Sequence, residues 1–231
     1  FTAQQRSIIH QYTERLGDAL YQRDYRGYFE VDYLLDLDDG SIYLGEINPR
    51  ITGISAMTNM SPFCQKTMPL FLLHLLEYSD TAIPFKPEAY NELSLHEGAQ
   101  GTSSQMIIKS THSELLKLVS APASGVYQLS ETGQLQLVKV SSEPTDKGDD
   151  PTKAYLLRIM NTNDYAYKGG DLAILFLNTQ LTTAGGTQLN NDANAWIHAV
   201  HQAFETRALT DEEKVLIHRF NKPSSIKTSE D

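Results

Sequence analysis

Residues 26–53, RGYFEVDYLLDLDDGSIYLGEINPRITG, decide the fold of the first part of the chain. From Tyr28 to Leu37 the side chains alternate. Phe29, Val31, Tyr33, Leu35 and Leu37 point one way, and Tyr28, Glu30, Asp32, Leu34 and Asp36 the other, which is the period of a β-strand. Asp38-Asp39-Gly40 suits a three-residue hairpin loop with glycine at the left-handed position, and Ser41 to Asn48 forms the return strand. With the loop closed over 38–40, Leu37 stands opposite Ser41, Asp32 opposite Glu46 and Glu30 opposite Asn48. Opposed residues of an antiparallel pair share a face with Cβ atoms about 4.5–5.5 Å apart, and like charges there destabilise the sheet.

Two readings of that acidic face are open. Antiparallel hairpins commonly keep one solvated polar face, and acids on it need no metal. Alternatively, a divalent cation between Asp32 and Glu46 reverses the sign of their interaction. Asp, Glu and Asn oxygens are the hard ligands Mg²⁺ prefers, and Mg²⁺ typically takes one or two carboxylates together with substrate phosphates. Arg50, just past the strand, supplies a fixed positive charge toward a phosphoryl group or a carboxylate.

Outward from the hairpin, Ile8, Ile9, Tyr12, Leu16, Ala19 and Leu20 recur at helical spacing on the N-terminal side. The pattern starts almost at Phe1, without the loose polar lead of most termini, so the expectation is a piece of a longer chain. On the other side, residues 49–60 (PRITGISAMTNM) have no period and are expected to form a loop. Ser61-Pro62 resembles a helix start, and Pro69 should break or restart that helix. The run from Pro69 to Tyr78 is helical, with Phe71, Leu72, Leu75 and Leu76 expected in the core between helix and sheet. Residues 80–104, with Pro84, Pro87, Gly98 and Gly101, make a plausible connection. The expected domains are therefore 1–97 and 98–231.

The second domain turns to β. Strands are expected at Gln105–Lys109, Gly125–Leu129, Gln134–Val140, Ala154–Met160 and Leu172–Leu177, separated by polar loops at 141–153 and 161–171, as in a small sheet or open barrel. Two helices follow. One starts after Asn191 or Asp192 and carries Trp196, Val200 and Phe204 inward; the other is capped by Thr210 with Glu213 three residues on, a capping box. Residues 221–231 are polar and expected to fray.

Composition narrows the function. The chain is 40% hydrophobic and 21% charged, a globular balance. Its net charge of −10 comes from 19 basic and 29 acidic residues with no basic cluster, which argues against nucleic-acid or anionic-membrane partners. The single cysteine, Cys64, excludes an internal disulfide and points to a reducing, cytoplasmic setting. No apolar run approaches the length of a membrane span.

The stretch 26–53 resembles the last hairpin of the ATP-grasp superfamily: a glycine, a strand ending in an acidic residue, a turn, and then E-x-N-P-R, here Glu46, Asn48, Pro49 and Arg50, with Asp32 as the upstream acid. The preceding helix, with Leu16-Gly17 and Ala19-Leu20, is similar to the one found there. The resemblance covers roughly residues 1–78 and is nearest to the carboxylate–amine ligases and the biotin-carboxylase-like group. It implies an α+β fold, the C-terminal half of an ATP-grasp domain (an antiparallel sheet with helices), followed by a small β-rich domain with two closing helices.

By the same resemblance, the function is that of an ATP-dependent ligase that activates a small-molecule carboxylate as an acyl phosphate and joins it to an amine or other nucleophile. It implies that Asp32, Glu46 and Asn48 hold one or two Mg²⁺ against ATP, that Glu46, Asn48 and Arg50 face the nucleotide, and that Arg50 stabilises the transferring phosphoryl group. The loop Ile51–Asn59, with Thr52, Gly53 and Ser55, would border the acceptor substrate through its backbone N–H groups. Biotin carboxylases follow their N-x-R with a glutamine and a glutamate. Ile51 to Ser55 stand here instead, so bicarbonate chemistry is not expected. The superfamily's phosphate-contacting lysine, glycine-rich lid and ribose-holding carboxylate lie upstream of this hairpin. The chain alone is therefore expected not to turn over ATP.

A kinase-like transferase with the same metal site and a non-catalytic docking or dimerisation module are the alternatives, and a homodimer is left open. His198, His201 and Glu205 have metal-like spacing on one helical face but suit a solvated surface. Cys64 suits a packed thiol. Lys168-Gly169-Gly170 and Gly185-Gly186 suit turns.

Overall fold

The first helix starts where Thr2 can cap it. Its hydroxyl accepts the Gln5 N–H at 3.1 Å, and the Gln5 side chain accepts the Thr2 N–H at 2.8 Å, a reciprocal capping box that opens α1 (Ala3–Tyr21). The computed structural model describes residues 1–60, 67–79, 81, 86–100, 102–183 and 186–220. It divides into two compact units, Phe1–Thr102 and Ser103–Asp231. The class is α+β, and every strand pair is antiparallel among the described residues.

In the first unit α1 leads into a hairpin of β1 (Glu30–Leu35) and β2 (Ile42–Asn48), followed by α2 (Ser55–Met60), α3 (Leu70–Tyr78) and α4 (Pro87–Gln100). Two polar contacts seat α1 on the hairpin. The Thr13 and Tyr33 hydroxyls lie 2.8 Å apart, and the Gln5 amide donates to the Gly40 carbonyl at 3.0 Å. α3 holds the entry to β1: His74 Nδ1 accepts the Tyr28 N–H at 2.9 Å, and the Tyr78 hydroxyl donates to the Arg26 carbonyl at 3.0 Å.

Four expectations are corrected here. The hairpin turn is one residue longer than the three-residue loop, because Asp36 rather than Leu37 pairs with Ser41: Asp36 N–H donates to the Ser41 carbonyl at 2.9 Å, and Gly40 N–H to the Asp36 carbonyl at 3.0 Å. Inside the turn, Asp36 and Asp39 accept the N–H groups two residues on, at 2.9 and 2.8 Å, and the Ser41 N–H holds the Asp39 carboxyl below its usual range. The supposed loop 49–60 ends in α2, and the supposed connection 80–104 contains α4. Pro87 opens α4 with Glu88 in its first turn, both favourable at a helix N-terminus, but the helix has no apolar stripe to betray it. Leu72 and Leu75, expected in the core, are exposed on α3.

The second unit has a five-stranded sheet in the order β3-β9-β7-β5-β6. Its strands are β3 (Ser104–Lys109), β5 (Gly125–Leu129), β6 (Leu135–Val140), β7 (Lys153–Arg158) and β9 (Asp171–Leu177). A three-stranded sheet, in the order β10-β4-β8, joins β4 (Leu116–Ser120), β8 (Tyr165–Ala166) and β10 (Glu205–Ala208). The strands of this second sheet are short and were not expected; β10 falls between the two closing helices. α5 (Asn191–Ala203) buries Trp196 and Val200, and Phe204 is buried just beyond its end. α6 (Asp211–Phe220) starts at the capping box, where Thr210 N–H donates to Glu213 at 2.9 Å and Glu213 N–H to the Thr210 hydroxyl at 3.2 Å. The core joins Leu118, Leu156, Leu175, Leu177 and Trp196. Among the described residues no helix is long and apolar enough to cross a membrane.

Candidate functional site

The register on the hairpin is what places the acids. Glu30 pairs with Asn48, Val31 with Ile47 and Asp32 with Glu46. Nearer the turn, Tyr33 pairs with Leu44 and Leu35 with Ile42, so the register shifts by one between Asp32 and Tyr33, with Gly45 as the extra residue. The longer turn displaces the strands by one residue, and the bulge at Gly45 restores them. The expected pairing of Asp32 with Glu46 is therefore observed, by way of two offsets that cancel. A bulge with an unpaired residue is a common way to re-aim side chains. Glycine is suited to it here, since a Cβ on Gly45 would stand 3.0 Å from the Asp32 carbonyl oxygen and 3.3 Å from Leu34 Cγ.

Asp32 and Glu46 are both exposed, and neither carboxylate has a hydrogen-bond or ion-pair partner among the described residues. Asn48 is half-buried and Arg50 exposed. The Arg50 guanidinium donates to Asn48 Oδ1 at 3.0 Å and lies 3.4 Å from the Ile51 carbonyl, while Arg50 N–H donates to the Asn48 carbonyl at 2.8 Å. Arg50 is thus turned back along the strand end that carries Glu46 and Asn48. Asn48 Oδ1 keeps a second lone pair beyond the one Arg50 takes.

Glu30 was not singled out by the sequence, yet it fixes the loop after β2. The Thr52 hydroxyl donates to Glu30 Oε2 and lies 3.2 Å from the Ser55 hydroxyl, and Thr52 N–H donates to Ser55 Oγ at 3.0 Å. Ser55 is fully buried. The Asn59 amide donates to the Ser55 carbonyl at 2.7 Å, and its oxygen accepts Phe71 N–H at 2.8 Å, so the same chain of contacts reaches α3. Thr52 and Ser55 therefore brace the loop from within. The Thr52 N–H, in the loop expected to border the acceptor substrate, is engaged by Ser55; Gly53 is exposed beside them. The signal that could have found Glu30 was its place opposite Asn48 on the acidic face.

The donor set is two opposed carboxylates and a side-chain amide. Among the described residues no group of three or more His, Cys, Asp or Glu converges on one point. The set suits a hard cation that completes its shell with water or phosphate oxygens, since one or two carboxylates suffice for Mg²⁺ in such sites.

The residues set aside fall elsewhere. His198 Nε2 contacts the Gln202 amide at 2.8 Å, His201 Nε2 contacts the Lys109 carbonyl at 3.0 Å, and Glu205 lies beyond the helix in β10, paired with Ser120. Gly169-Gly170 closes a turn, with Gly170 N–H donating to the Tyr167 carbonyl at 3.0 Å. Cys64, Gly185 and the tail 221–231 lie outside the described residues. Compared with protein-family models, with curated proteins and with solved structures, the chain matches none.

Proposed function

We propose that this chain is the C-terminal, metal-holding part of an ATP-grasp-type ligase that uses ATP and Mg²⁺ to activate a small carboxylic acid and join it to an amine or other nucleophile. The observation that carries the reading is the register Asp32 opposite Glu46 and Glu30 opposite Asn48, with the Arg50 guanidinium held 3.0 Å from Asn48 Oδ1 at the same strand end. Two solvent-facing carboxylates fixed opposite each other repel, and a dication is the simplest partner that turns this repulsion into attraction.

In this reading Asp32, Glu46 and Asn48 are the metal ligands, and bound Mg²⁺ would supply neutralisation of phosphate charge. Gly45 sets the register that opposes the two acids. Arg50, anchored by Asn48, presents a fixed positive charge to the phosphoryl group or the acyl phosphate. Glu30, through Thr52 and Ser55, holds the loop that borders the acceptor acid. In the protein that also carries the nucleotide-gripping half, Glu46→Gln should lower acid-dependent ADP release by about a hundredfold or more. Unchanged release would refute the metal role. Arg50→Ala should depress turnover more than nucleotide affinity, and the opposite pattern would reassign Arg50 to nucleotide binding.

One observation favours a second reading, a docking or dimerisation module. The sheet-edge strand β6 exposes Leu137, Val138 and Val140, and exposed apolar sheet edges invite pairing with another chain. Val140→Lys would disperse an assembly formed that way and leave a ligase untouched.

A further inference from the structure

His201 and His74 both bond to the backbone, in opposite senses. His201 Nε2 lies 3.0 Å from the Lys109 carbonyl, which can only accept, so the ring N–H donates. His74 Nδ1 lies 2.9 Å from the Tyr28 N–H, which can only donate, so the ring accepts and carries its proton on Nε2. The difference decides what a second proton does. An imidazolium has an N–H on both nitrogens, so it keeps a bond to a carbonyl and loses a bond to an N–H. His198 Nε2, 2.8 Å from the Gln202 amide, escapes this because that amide can turn and offer its oxygen. A backbone N–H has no such alternative.

The His74 bond sits at a junction. α3 holds the entry to β1 by this bond and by the Tyr78 hydroxyl on the Arg26 carbonyl at 3.0 Å. Gly27, between the two, has φ of +104°, and a Cβ there would stand 2.6 Å from His74 Nδ1, so the ring is seated directly on the chain. Two residues past Tyr28, β1 starts at Glu30, which accepts the Thr52 hydroxyl, and it runs on through Asp32.

The groups around the ring do not undo the effect. The groove that His74 lines presents Tyr21 from α1, Tyr25, Arg26 and Tyr28 from the segment before β1, and Glu77 from α3; the Tyr78 ring meets His74 edge-on with centroids 4.9 Å apart. Tyrosine phenols ordinarily keep their proton to about pH 10. Glu77 favours a charged ring, but its carboxylate lies 3.7 Å from Arg26 Nε, and the Arg26 cation opposes that charge.

We infer that His74 is a proton-operated latch: the neutral ring clamps the entry of β1 to α3, and the protonated ring releases it. The fold binds the neutral form, so the latch is complete above the ordinary imidazole range of about pH 6.5 and is lost as pH falls through it. The inference is independent of the ligase reading, which needs no titrating group on α3.

The test uses the full chain and follows amide exchange and histidine ring signals by NMR, each exchange rate taken relative to an unstructured peptide at the same pH. Protection of the Tyr28 amide should fall by ~fivefold or more, the worth of one good hydrogen bond, between about pH 7.5 and about pH 5.5, with β7 and β9 unchanged. The fall should follow the titration of the His74 ring signals. In His74→Asn and His74→Phe, whose side chains take up no proton, the pH dependence should disappear. Should neither variant fold, the match between Tyr28 protection and His74 titration in the parent chain decides. A Tyr28 amide equally protected at both pH values, a fall that does not follow His74, or one that persists in either variant overturns the inference.

Discussion

The two units bury their side chains differently. Among the described residues, Ile42 is the one buried hydrophobic side chain of the first unit, whereas the second buries Leu118, Leu156, Leu175, Leu177, Trp196 and Val200 in one core. In the first unit Leu34, Leu37, Tyr43 and Leu44 of the hairpin are exposed. Burial of apolar area is the dominant stabilising term in folding, and an isolated two-stranded hairpin is marginal in water. The second unit therefore carries its own stability, while the first relies on a capping box, α1 packed on one face and hydrogen bonds from α3. The candidate metal site sits on the less buried unit, and such regions open locally more readily than a packed core.

The largest effect that would test this contrast is in the second core. Leu156→Ala, at a site with no exposure, should cost about 2–5 kcal/mol, read by denaturation followed through the buried Trp196. In the first unit, Gly27→Ala should cost about 1–3 kcal/mol through backbone strain. Gly27 has φ of +104°, and a Cβ there would stand 2.6 Å from His74 Nδ1, which accepts the Tyr28 N–H. Faster amide exchange along β1 with β7 and β9 unchanged would show that the loss is local to the first unit. A loss shared by both units would break the comparison.

An acid titration sharpens it further. The Arg207 guanidinium grips Glu213 through two bonds of 2.8 Å and, with the Thr210 N–H, lowers the Glu213 pKa from 4.5 to about 2. A depressed carboxyl contributes stability that is complete above the unfolded value and is lost as pH falls through the folded one. The tie between β10 and α6 should therefore hold at pH 5 and weaken between about 4.5 and 2, a window that Glu213→Gln abolishes. Amide exchange of α6 against pH checks this. The smallest effect belongs to Leu37→Ala, at 81% exposure, which should stay within about 0.5 kcal/mol.

The legible parts of the fold were those with strong periods and caps. The alternation around Asp32, the apolar face of Trp196 and Val200, and the Thr210–Glu213 box each point to one local structure. α4 was hidden because its apolar residues follow no helical stripe, and β4, β8 and β10 because strands of two to five residues show too little alternation. The extra turn residue and the Gly45 bulge were invisible for another reason: they change the pairing in opposite directions, so the sequence count returns the same partners. Glu30 was overlooked because its bond to Thr52 crosses from strand to loop, a contact that linear spacing does not encode.

The central claim, that Asp32 and Glu46 hold a divalent cation, is tested most directly by adding Mn²⁺ to this chain as a paramagnetic stand-in for Mg²⁺ and recording amide line widths. The account predicts that the Asp32, Glu46 and Asn48 amides broaden first, that excess Mg²⁺ reverses the broadening, and that Asp32→Asn removes it. Broadening confined to the acidic loop 141–153, with the hairpin unaffected, would contradict it.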